Sequence, residues 1–132
     1  MLNSTLSHAM RVSASGLTAE RFRMDIISSN LANANSIKIN GQDPYRRQDV
    51  ALAGDRNGVR ITRIVPDQTP FREVVDPGNP YADAKGKVTQ SNVDPLVEMV
   101  NMISASRSYE ANIAAFNSSK TMMRSALSIG KI

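Results

Sequence analysis

LSHAMRVSASGLTAERFRMDIISSNLANA, residues 6–34, keeps one side-chain rhythm along its whole length. Met10, Leu17, Met24 and Leu31 recur every seven residues without a gap. Leu6, Ser13, Glu20, Ile27 and Ala34 make a second register, two of its members polar. Two offset seven-residue registers are the seam of a helix that packs on other helices. No proline interrupts the stretch, so it reads as a helix from about Ser4 to Asn35. Gly16 lies inside it, where glycine costs about 1 kcal/mol relative to alanine. It marks a close helix approach or a local bend.

A second helix reads from about Asp94 to Ser128. Asp94-Pro95 starts it well: an oxygen acceptor at the cap, then proline at the first helical position. Met99, Met102, Ser106, Tyr109, Ile113, Phe116, Lys120, Met123 and Leu127 alternate steps of three and four. Gly130 and Lys131 suit its end.

Between the helices the character changes, and all the prolines except Pro95 fall there. Val59–Val65 is rich in the β-branched residues that suit a pleated surface, and Arg46–Leu52 makes a second candidate strand. Asn57-Gly58 between them is a hairpin turn signal. Asp76-Pro77-Gly78-Asn79-Pro80 and Lys85-Gly86-Lys87 are further turn formers. The reading is a mainly α chain with a small β region. An N-terminal helical segment (1–36) and a C-terminal one (94–132) pair as a coiled coil around a middle (37–93) of one hairpin and loops.

Both helices are weak in isolation. Ser, Thr and Asn fill 12 of the 33 positions from 3 to 35 and 11 of the 37 from 94 to 130. Their side chains compete for the backbone. A 30-residue helix is about 45 Å long. Two such rods in a chain of 132 residues find little else to bury against. They are expected to form fully only in an assembly.

Composition excludes several functions. There is no cysteine and one histidine, His8, which reads as incidental. A disulfide scaffold, a thiolate metal site and a two-histidine site are therefore out. No cofactor is expected. Glu20 and Asp25, five apart, do not share a helical face, and no serine has a histidine and acid arranged for nucleophilic catalysis. No glycine-rich phosphate loop follows a strand. An enzyme is the weakest reading. The net charge of +4 is spread over the chain, whereas nucleic-acid footprints cluster. The rival reading, a nucleic-acid module, would use Arg46, Arg47, Arg56, Arg60, Arg63 and Arg72, but seven acids interleave residues 43–93. No apolar run approaches the roughly 20 residues of a spanning helix, and no cleavable export signal opens the chain.

Two motifs at opposite ends carry a family resemblance. Ser13-Ala14-Ser15-Gly16-Leu17-Thr18-Ala19-Glu20-Arg21 with Asp25–Ser36 resembles the N-terminal signature of flagellar rod and hook axial proteins. Asn92-Val93-Asp94, Glu98-Met99-Val100, Met102-Ile103, Arg107–Asn112 and Ala126–Gly130 resemble their C-terminal one. The short length, Pro44-Tyr45-Arg46-Arg47 and Asp76–Pro80 resemble the proximal-rod members. Ser36, where the family often has Thr, and the loop from Ile37 to Asp43 depart from the pattern.

The resemblance implies a structural subunit of the drive shaft in the periplasmic space, exported by the flagellar type III route without a cleaved signal. It implies partners among copies of itself, other rod subunits, and ring or export-gate components at the rod base. It implies no nucleic acid and no membrane span. The lack of cysteine suits a chain threaded unfolded into an oxidising compartment. The seam residues expected to carry assembly are Leu6, Met10, Leu17, Met24, Ile27, Leu31, Met99, Met102, Tyr109, Ile113, Phe116, Met123 and Leu127. Gly16, Asn30, Asn33, Asn35, Arg107, Glu110 and Asn112 belong to the motifs. Asn30, Asn33 and Asn35 read as a plain helix end or as packing residues. Arg107, Tyr109 and Glu110 read as helix-pair or neighbour contacts, or as a solvated face with one core tyrosine. Arg46 and Arg47 read as exposed strand residues or as intersubunit salt-bridge partners.

Overall fold

The structure, a computed structural model, describes residues 1–130; Lys131, read above as part of a helix end, lies outside them. Helix α1 (Leu2–Ala32) is followed by β1 (Gln48–Asp55), β2 (Gly58–Pro66), β3 (Arg72–Val75), β4 (Lys87–Gln90) and helix α2 (Pro95–Ile129). The helices make up about half of the chain. Both helices lie where the repeat and the Asp94-Pro95 cap place them, with a β-rich middle between them.

Asp94 caps α2: its Oδ1 accepts from the amides of Leu96 (3.0 Å) and Val97 (3.4 Å), with Pro95 in the first turn. α1 has no side-chain cap at its start and no acidic residue in its first turn. At its other end Asn33 Nδ2 donates to Ser29 O at 2.8 Å, satisfying one of the free terminal carbonyls.

α1 and α2 pack antiparallel on each other. Asn30 meets Glu98 near one end, and Gly16 meets Asn112 fourteen residues away along each helix. At the far end Leu2 lines a shallow groove with Ala126 and Ile129. On α1 the second register holds the interior: Ser13 and Ile27 are buried, as is Ala34 just past the helix end, while Met10, Leu17, Met24 and Leu31 are half-buried.

On α2 half of the expected stripe is corrected. Met102, Tyr109, Phe116 and Met123 are half-buried. The partner register lies one residue earlier, on Glu98, Ala105, Asn112, Ser119 and Ala126. Met99 (53% exposed), Ile113 and Leu127 face away. The cause is backbone separation. A Cβ on Gly16 would lie 2.8 Å from Asn112 Nδ2, so the inner face takes small or polar side chains. Gly16 thus marks a close helix approach. Burial also grades along the pair: among the described side chains none before Ser13 on α1, and none after Ala105 on α2, is buried.

The β1–β2 hairpin runs longer toward its tip than Arg46–Leu52 and Val59–Val65 suggest. Its register shifts once, between Ala51 and Leu52, and Thr62 Oγ1 donates to Ala51 O at 3.0 Å there. At the turn the positive φ falls on Gly58 and not on Asn57, so this is not the primed turn that Asn-Gly suggests. The tip docks on α1: Ser15 Oγ accepts from Val59 N at 3.0 Å. A hairpin with few apolar residues thereby gains a support.

The remaining middle is more regular than loops. β3 pairs antiparallel with β4, and segment 36–38 flanks β4 through Lys38 N to Thr89 O (2.8 Å) and Ser91 N to Ser36 O (2.9 Å). Asp83 organises the turn between the strands, accepting from Lys87 N and Lys85 N. These amides, Lys87 first, hold its carboxyl below the usual carboxylate range.

Candidate functional site

The polar residues gather where α1, α2 and the start of β1 meet. Asn30 and Glu98 are both fully buried. Asn30 Nδ2 donates to Glu98 Oε2 (3.1 Å) and Gln48 O (2.8 Å). Its Oδ1 accepts from Gln48 N (3.0 Å) and from the Tyr45 hydroxyl (2.9 Å). Arg47 Nε donates to Glu98 Oε1 at 2.5 Å, closing the ring of contacts. Among the described residues no buried side-chain polar atom lacks a partner.

Arg47 ties this junction to the loop beside it. Its amide donates to Asn92 Oδ1 (2.7 Å), and its guanidinium also reaches Asp67 (3.4 Å) and Asp49 (3.5 Å). Burial pulls its pKa down, but the hydrogen bond and charge of Glu98, aided by Asp49, outweigh that and raise it. Asp67 is held below the usual carboxylate range, chiefly by the hydroxyl and then the amide of Thr69, with Arg47 adding to both. Asn92 Nδ2 ties the same loop through Thr69 O (3.0 Å) and Asp67 O (3.2 Å). A cavity of about 180 Å³ opens beside Arg47, with Arg23, Ile27 and Asn101 among its walls.

The two candidate arginines therefore turn inward, and neither lies in a strand. Arg46 donates to Asp67 O (2.8 Å) and Thr69 O (3.2 Å) and stacks over Phe71, 4.2 Å from the ring centroid. Of the motif asparagines, Asn30 is core, Asn33 ends the helix and Asn35 accepts from Gln90 at 3.4 Å. Asn112 faces Gly16, Tyr109 is half-buried, and Arg107 and Glu110 are exposed. Among the other seam residues Leu6 is half-buried and Ile27 buried.

Sequence reasoning missed Glu98, Tyr45, Gln48 and Asn92 as one unit. A signal existed for Glu98: it stands seven before Ala105 and fourteen before Asn112. A charged residue on an inner register reads as a mismatch until its partners are known.

Opposite the seam, α2 offers a second surface. Leu96, Met99, Val100 and Ile103 lie on one side of its first turns and are all more than half exposed. At helical spacing this is a continuous apolar face. Among the described residues no helix is long and apolar enough to cross a membrane.

Comparison with known proteins matches both halves of the junction. Residues 10–36 match the model for flagella basal body rod protein, and 84–129 match the flagellar basal body rod FlgEFG protein C-terminal model. The flagellar basal-body rod protein FlgC of Bacillus subtilis is 44% identical, covering 96% of this chain and 99% of its own. This chain belongs to the FlgC family. The FlgC of Escherichia coli O6:H1 is 42% identical over 91% of this chain and 94% of its own, and that of Borreliella burgdorferi 40% over 94% and 97%. Membership makes the chain a structural subunit of the flagellar basal-body rod. Asn30 lies in one matched region and Glu98 in the other, so the junction of this chain joins both signatures.

Proposed function

We propose that this subunit is a non-enzymatic element of the proximal rod, assembling helically into the shaft that surrounds the export channel and transmits torque. The observation that carries this reading is the exposed face of Leu96, Met99, Val100 and Ile103, turned away from the subunit's own helix pair. Fully burying one such side chain gives about 1.5–3 kcal/mol. A face repeated in every copy suits contacts that propagate and do not close.

α1 and α2 pair as a short antiparallel coiled coil in the inner wall, and the hairpin faces outward toward neighbouring rod subunits. Export proceeds through the flagellar type III route without a cleaved signal, and ring or export-gate components receive the base of the rod. Weak helix ends ease threading. Serines and asparagines on the distal part of α2, such as Asn117, Ser118 and Ser119, suit a wall that does not retain passing chains. Paired acidic residues at Ser118 and Ser119 should slow export, and normal export would refute that assignment.

The arginine hairpin does not favour nucleic acid: Arg46 and Arg47 are engaged internally and Arg60 pairs with Asp55 at 3.2 Å. The test of the rod reading is Ile103→Glu. It should leave the purified chain's circular dichroism unchanged and abolish rod assembly and motility. Full motility would overturn the role given to this face.

A further inference from the structure

Two Asn-Gly pairs stand at turns, Asn40-Gly41 and Asn57-Gly58; both asparagines are exposed, but their surroundings differ. Asn40 (φ 48) and Gly41 (φ 82) are both left-handed, giving a two-residue primed turn closed by Gln42 N to Ile39 O (2.9 Å) and Ile39 N to Gln42 O (3.2 Å). No strand extends from this turn. Among the described residues nothing hydrogen-bonds the Asn40 side chain or the Gly41 amide nitrogen, and a Cβ on Gly41 would meet nothing within 4 Å. Gly58 is the opposite case. It pairs with Asp55 at the end of an eight-pair ladder, and a Cβ there would lie 2.1 Å from Ser15 Oγ.

We propose that Asn40 is a site of spontaneous modification, converting to isoaspartate and aspartate in the folded subunit, while Asn57 is protected. Glycine following asparagine leaves the attacking amide unhindered by a side chain. The Gly41 nitrogen gives its proton to solvent base and bonds to Asn40 Cγ. The Cγ–Nδ2 bond breaks and ammonia leaves, forming a cyclic imide. Water opens the imide at either carbonyl, to aspartate or to isoaspartate. No oxidant or reductant is involved.

The reacting geometry requires the turn to distort. At Asn40 that disrupts one isolated bridge, whereas at Asn57 the hairpin tip must leave α1. Local opening is cheapest where few contacts hold the backbone. The product adds a negative charge and, as isoaspartate, a backbone methylene between Ile39 and Gln42. That lengthening should break the bridge and loosen segment 36–38 on β4.

The test incubates the purified full-length chain at mildly alkaline pH, in buffer and in guanidinium, in heavy-oxygen water. Peptide mapping then follows amide-to-acid conversion at both sites, and chromatography separates isoaspartate from aspartate. In buffer Asn40 should convert at least about tenfold faster than Asn57, which corresponds to about 1.4 kcal/mol of extra opening cost at Asn57. In guanidinium the two rates should converge. Asn40→Gln should remove the early acidic species from ion-exchange profiles and leave the Asn57 rate unchanged. Equal rates in buffer, faster conversion at Asn57, or an Asn40 that converts only in guanidinium would each overturn the proposal.

Discussion

The carboxamide of Asn30 on α1 donates to the carboxylate of Glu98 on α2 at 3.1 Å, with both side chains fully buried. That contact sets the helix register, because Gly16 and Asn112 meet fourteen residues further along each helix. Fourteen is two heptads, so the same faces return to contact. A buried charge fixes register only if every partner is present, and here Arg47 supplies the counter-charge.

Removing one member of this set should cost more than removing a surface ion pair. Glu98→Ala leaves Arg47 part-buried beside a void and should destabilise the junction by about 2–4 kcal/mol. Arg60→Ala, which breaks the exposed pair with Asp55, should cost less than about 1 kcal/mol. Denaturant titration followed by circular dichroism compares them, and equal costs would refute the junction's importance.

Gly16→Ala should destabilise despite its better helix propensity. The gain of about 1 kcal/mol is opposed by a Cβ inside the Asn112 side chain, and overpacking typically costs about 1–3 kcal/mol. Asn112→Ala in the same chain should recover most of the loss. A double-mutant cycle with no coupling would contradict the close approach at this point.

Helix order should grade along the pair in the free subunit. Near Asn30 and Glu98 amides should be strongly protected, and toward Leu2 and Ile129, where no described side chain is buried, protection should fall away. In an assembled rod the distal halves should become protected too. A dilute monomer with full helicity and strong protection at both ends would sink the proposal that assembly completes the helices.

Acid should loosen the loop held by Asp67. Its folded-state pKa is lowered, so the unfolded chain binds more protons between the two values. The contribution is fully present above the unfolded value of about 3.9 and is lost as pH falls through the lower folded one. Amide exchange at Thr69 should rise across that window, and Asp67→Asn should remove the dependence. An unchanged profile in the variant would assign the effect to another group.

Local signals gave the helices their positions: the Asp94-Pro95 cap and the Met10 to Leu31 repeat are readable without knowing any partner. One register of α2 was not readable, because apolar Met99, Ile113 and Leu127 look like seam while Ala105, Asn112 and Ser119 do not. Which face turns inward depends on how closely α1 approaches, and Gly16 decides that from a distant part of the chain. Glu98 was illegible for the same reason, since its partners Asn30 and Arg47 lie 68 and 51 residues away. The β3–β4 pair escaped notice because its strands are four residues long and residues 76–86 separate them, a loop closed by a turn from Asp83 to Gly86.

The central claim is tested most directly by an in-frame deletion of the gene in its own organism, with basal bodies imaged by electron microscopy. The deletion strain should show membrane rings without a rod or hook and no motility, and the intact gene supplied in trans should restore both the rod and motility. Complete rods and normal flagella in the deletion strain would contradict the claim.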